Sequence, residues 1–101
     1  MIEVDVFEGR ITVKGHASYA DKGKDIVCAA VSALFQTLIG SMEKITEDSI
    51  KYCLVPGESF LKYEELSYES RIMLDSFFIG IRSLADEYPE YVKNNLIKKI
   101  K

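Results

Sequence analysis

The chain is expected to fold as an α/β sandwich of the α+β type. Two ββα units would form a mixed sheet of about four or five strands packed with two main helices. Three observations lead there. Two pairs of alternating apolar stretches are each folded back at a glycine turn, Glu8-Gly9 and Pro56-Gly57. Each pair is followed by a long stretch whose apolar residues recur at helical spacing. Neither hairpin can bury its apolar face alone, so the order ββαββα calls for one shared sheet under both helices.

Ile2, Val4 and Val6 alternate with Glu3 and Asp5, the pattern of a half-buried strand. Gly9 turns the chain, and alternation resumes through Ile11 and Val13 as far as His16. Residues 17–24 are small or polar and form a loop. Asp25 is a suitable N-cap, because its carboxylate can accept from the free amides of the first turn. Ile26, Val27, Ala30, Val31, Leu34, Phe35, Leu38 and Ile39 then mark a helical stripe. Gly40 either ends this helix or weakens it, and Ser41 to Ile45 can add one more turn. Ser49 to Val55 reads as a strand, Pro56-Gly57 as a turn, and Glu58 to Glu64 as the returning strand. Ser67 caps a second helix whose stripe runs from Met73 to Tyr88, and Pro89 closes it. In the tail from Tyr91 to Lys101, Tyr91-Val92 can join a sheet edge, and Asn94-Asn95 interrupts that pattern.

The 101 residues are read as a single domain, 1–101. A net charge of -3 argues against nucleic acid as the main partner, since phosphate binding needs a basic face. It suits a basic protein or peptide. One histidine and two cysteines 25 residues apart do not make a zinc site, so no metal and no cofactor is expected. No secretory signal and no apolar run of membrane-spanning length is read, which places the chain in the cytoplasm with free thiols and no membrane partner.

The chemistry concentrates in Gly15-His16-Ala17-Ser18-Tyr19-Ala20-Asp21-Lys22-Gly23-Lys24-Asp25-Ile26-Val27-Cys28 and the four residues after it. Cys28 falls in the first turn of the helix, where unpaired amides favour a thiolate and could hold an oxyanion. Without a partner it would read as an ordinary small core cysteine. His16 precedes a loop short enough to bring it back beside Cys28, and an imidazole there can act as base and acid. Alone it would read as a surface histidine. Ser32 shares a helix face with Cys28 and can donate near the site, or simply permit close packing. Asp25 caps the helix and can also orient His16. Gly15 permits tight backbone at the strand end. Cys53, in a strand, is structural.

The motif Gly15-His16-Ala17, Ala20, Gly23, Asp25-Ile26-Val27-Cys28-Ala29-Ala30-Val31-Ser32 resembles the signature of the Prp family of ribosomal-processing cysteine proteases (YsxB-like). The resemblance covers nearly the whole chain in length and element order, and its specific part is residues 15–32. It implies a cysteine endopeptidase that removes an N-terminal extension from the precursor of large-subunit ribosomal protein L-twenty-seven, cutting after aromatic residues in an apolar segment. Carried over, Cys28 is the nucleophile and His16 the base, with Asp25, Ser32 and Gly15 supporting. The resemblance also implies a homodimer, and a mobile substrate loop at residues 17–24. The Asn94-Asn95 tail departs from the final strand expected of that family. Two other classes fit less of the motif: a non-catalytic module that binds a ribosomal protein or aids assembly, and a thiol redox sensor, which would lack a resolving cysteine nearby.

Overall fold

The computed structural model describes residues 1–21 and 23–95. The order is β1 (Ile2–Phe7), β2 (Arg10–Lys14), α1 (Ile26–Ile45), β3 (Ile50–Cys53), β4 (Glu58–Tyr63), α2 (Tyr68–Glu87) and β5 (Val92–Asn95). The five strands make one mixed sheet in the order β3-β4-β2-β1-β5. The two expected hairpins are antiparallel pairs, β1 with β2 and β3 with β4. They join edge to edge through β2 and β4, also antiparallel, and β5 lies parallel to β1.

This register puts Ile2, Val4, Ile11 and Leu61 on one face, where they are buried with the helices. Helix α1 contributes Val27, Val31, Phe35, Leu38, Ile39 and Met42 to that core, and α2 contributes Leu74, Phe77, Phe78 and Ile81. Helix α1 runs unbroken through Gly40 to Ile45. Its twenty residues are long and apolar enough to cross a membrane, by length and composition alone. The expectation that no run approaches that length is therefore corrected. Its buried stripe is spent on the sheet and α2, which accounts for the apolarity.

The tail also differs from expectation. Asn94-Asn95 does not interrupt the last strand: both residues pair with β1, Asn94 opposite Val4 and Asn95 opposite Asp5. The Asn95 side-chain amide donates to the Asp5 carboxylate across the two strands. A polar pair of this kind is compatible with an edge strand, where alternation carries less information. Residues 96–101, the end of the tail, lie outside the described residues, as does Lys22 of the loop.

Two other ends are shorter than the alternation suggests. Strand β2 stops at Lys14 and β3 at Cys53. At the first of these, Gly15 takes φ +91, and a Cβ there would run into the Met1 carbonyl oxygen. Its N–H donates to the Gly57 carbonyl at 2.8 Å, which ties the start of the 15–24 loop to the Pro56-Gly57 turn.

Candidate active site

The helix start behaves as its sequence predicts. Asp25 is the N-cap of α1, and its Oδ1 accepts from the N–H of Val27 at 3.0 Å and of Cys28 at 2.9 Å. The other oxygen, Oδ2, accepts from the N–H of Tyr19 at 3.0 Å. One carboxylate thus fixes both the helix and the loop that precedes it. Among the described residues, no hydrogen bond joins Asp25 to His16. The two roles offered by the sequence are therefore not equally served, and capping has the contacts.

A second expectation changes with this. The helix position of Cys28 offers first-turn amides to a thiolate or an oxyanion. Those of Val27 and Cys28 are already filled by Asp25. The donor on the Cys28 sulfur comes instead from the loop, where the N–H of Ala17 stands 3.3 Å from Sγ. Ala17 is buried, and this position delivers its amide to the thiol.

His16 is exposed and lies beside the β3–β4 turn. A Cβ added at Gly57, which has φ +87, would stand 3.2 Å from His16 Nε2. In the sequence Pro56-Gly57 marks a turn, but nothing in it marks the imidazole that lies beside Gly57. No hydrogen bond joins His16 to Cys28 among the described residues. Catalytic hydrogen bonds of this kind often tighten only when substrate is bound.

His16, Asp25, Cys28, Ser32 and Gly15 nevertheless line one cleft of about 910 Å³. Its walls are the N-terminal half of α1, the 15–24 loop and the tip of the β3–β4 hairpin. Leu54 and Val55 give that tip an apolar surface and are 41% and 48% exposed. Ser32 is exposed on the cleft side of α1, one turn beyond Cys28. From the loop, Ser18, Ala20 and Gly23 also reach the cleft. Tyr19 turns the other way, onto the rings of Tyr88 and Tyr91. The loop's small and polar composition had hidden this anchor.

The second cysteine lies elsewhere. Cys53 pairs with Phe60, which pairs with Thr12, on the sheet face opposite the helices. Both cysteines are free thiols, with the sheet between them. Among the described residues, no group of three or more His, Cys, Asp or Glu side chains could hold a metal ion.

Backbone donation governs the Asp25 charge. The Cys28 N–H holds its carboxyl below the ordinary 3.8, aided by Tyr19 N–H, the Cys28 thiol and Ala20 N–H, while partial desolvation works the other way. A depressed folded value stabilises the fold above the unfolded value and loses that contribution as pH falls through the folded one. The hold on the loop is therefore complete above about pH 3.8 and is lost in stronger acid. Asp25→Asn separates cap from loop anchor. Its remaining oxygen can cap α1, but its NH2 end meets the Tyr19 N–H donor to donor. Melting should stay near that of the parent, while cleavage falls about 10- to 100-fold through misplacement of the loop. Asp25→Ala should in addition lower the melting temperature by roughly 5 °C. Normal cleavage by Asp25→Asn would reduce Asp25 to a cap.

A cleft that holds a thiol at a helix start, an imidazole and an apolar wall has the parts of a peptidase site, and comparison with known proteins agrees. A family model described as "Cysteine protease Prp" matches residues 1–93. The ribosomal processing cysteine protease Prp of Mycoplasma genitalium is 30% identical over 98 residues, covering 94% of this chain and 95% of that protein. The Prp of Staphylococcus aureus is 27% identical over 104 residues, covering 94% and 98%. The fold matches a crystal structure of the S. aureus protease with a covalently linked product peptide, at TM-score 0.87 and 23% identity over 94% of this chain and 98% of that one. It also matches a Streptococcus mutans protein at TM-score 0.79 and 24% identity, over 93% and 91%. This chain therefore belongs to the cysteine protease Prp family and is a cysteine-type peptidase.

Proposed function

We propose that this chain is an endopeptidase that removes the N-terminal extension of a ribosomal protein precursor of the L-twenty-seven type, with Cys28 as nucleophile and His16 as base. The observation that carries this reading is the shared cleft, in which His16, Asp25, Cys28 and Ser32 face one volume and the Ala17 amide donates to the thiol. Crystal structures of the S. aureus relative with a substrate peptide and with a covalently linked product peptide support a covalent route.

His16 takes the Cys28 proton, and the thiolate attacks the scissile carbonyl carbon. The tetrahedral intermediate collapses as the C–N bond breaks, and His16 gives the proton to the leaving amine. The acyl group remains on Sγ as a thioester. Water, deprotonated by His16, attacks it, releasing the carboxylate product and the thiol. No cofactor enters these steps. Leu54 and Val55 suit an apolar stretch of substrate. The net charge of -3 suits a basic one, weakly at physiological salt. We place the reaction in the cytoplasm and expect the enzyme to work as a homodimer, a state that light scattering would test.

The deciding experiment incubates the candidate precursor with the protein and reads the products by mass spectrometry. One new N-terminus, cut within the extension, is expected. An uncut precursor that binds the protein would favour a binding or assembly module instead. The redox-sensor reading is disfavoured by the sheet between Cys28 and Cys53, which leaves no resolving thiol within the described chain.

A further inference from the structure

We propose that Tyr88 and Tyr91 are positioning residues for Cys28: by gripping Tyr19 they hold the active-site loop so that the Ala17 amide stays on the sulfur. The proposal rests on Cys28 as the nucleophile, and its test does not depend on which substrate is cut.

Between His16 and Asp25 the loop has one aromatic side chain, Tyr19. Its ring meets Tyr91 at 5.1 Å between centroids and Tyr88 at 5.7 Å, each with an interplanar angle of 80°. Edge-to-face pairs of this kind are the favoured aromatic geometry. Tyr88 and Tyr91 stand on a firm corner. The Tyr88 N–H donates to the Leu84 carbonyl, and the Tyr88 carbonyl accepts from both Tyr91 and Val92. The Tyr91 carbonyl accepts from Ile2, so the corner is fastened to the first strand.

From Tyr19 the hold passes along a short path. The Tyr19 N–H donates to Asp25, which caps the helix turn that carries Cys28. Two residues earlier, Ala17 is buried and donates to Sγ. A donor on the sulfur steadies the thiolate, which is the reactive form, against the Asp25 carboxylate that meets the same thiol, while the His16 imidazole shares the cleft. The first-turn amides of Val27 and Cys28 are occupied by Asp25, and among the described residues the hydrogen-bond donor found on Sγ is the Ala17 amide. A distant aromatic corner is thereby connected to the reactivity of the thiol.

The test uses the full chain without substrate. Cys28 alkylation by iodoacetamide is followed against pH, with Cys53 as internal reference. In Tyr91→Ala and Tyr88→Ala the rise of the Cys28 rate should move to higher pH, and the rate at pH 7 should fall about three- to tenfold. Tyr91→Phe and Tyr88→Phe keep the ring and should react like the parent, and Cys53 should not change. A parental profile in the alanine variants overturns the proposal, as does an equal loss in the phenylalanine variants. Should an alanine variant fail to fold, Tyr19→Ala decides the matter, since that ring is 41% exposed and lies outside every strand and helix. It must show the same shift, and a parental profile there overturns the proposal. A precursor that is not cut would remove the proposed substrate and leave this thiol measurement standing.

Discussion

Cys28→Ser is expected to reduce cleavage of the precursor by at least about a thousandfold while leaving the fold intact. Serine is close in size, and Cys28 is only partly buried at the edge of the core. The Ala17 N–H can donate to a hydroxyl as it does to the sulfur. What is lost is the easily ionised nucleophile, because a hydroxyl cannot supply the anion that a thiol can near neutral pH. The matched measurement is thiol alkylation of the parent at neutral pH, where Cys28 should outpace Cys53. The change should appear in turnover and not in the melting curve. Undiminished cleavage by Cys28→Ser would move the nucleophile elsewhere, and a matching fall in melting temperature would make Cys28 a packing residue.

His16→Ala is expected to lower turnover about 100- to 10,000-fold, the usual worth of a positioned acid-base group. Its side chain is exposed and makes no hydrogen bond to Asp25 or Cys28 among the described residues. Melting should therefore change by no more than about 3 °C. The imidazole rests on Gly57, and the Gly15 N–H bond to the Gly57 carbonyl fixes the backbone beneath it. Partial recovery of cleavage by added imidazole would identify the missing group as a proton carrier. Unchanged turnover in His16→Ala would reject the dyad and leave Cys28 in need of another base.

Much of the fold was legible because its signals are local. Alternation over a few residues marks a strand, a glycine with positive φ marks a hairpin, and a carboxylate before an apolar stripe marks a helix start. Asp25 and Ser67 both cap helices as their sequence positions suggest. The final strand was less legible, because Asn94 and Asn95 break the apolar pattern and pair with β1, some 90 residues away in the chain. For the site, Cys28 and His16 were visible as residue types at a spacing. The donor on the sulfur was not, since nothing in Ala17 itself marks its amide.

Local sequence signals suffice for two ββα units, the helix start at Asp25 and a motif carrying one histidine and one cysteine at a helix start. Each is encoded within a few residues, where steric preference, capping and periodicity act directly. The tertiary structure alone decided the strand order β3-β4-β2-β1-β5, the contact of His16 with the Pro56-Gly57 turn, and the docking of Tyr19 on Tyr88 and Tyr91. These join segments about 40 to 90 residues apart. Such contacts depend on how whole elements pack, and the competition among packed arrangements leaves no periodic trace in the residues that finally meet.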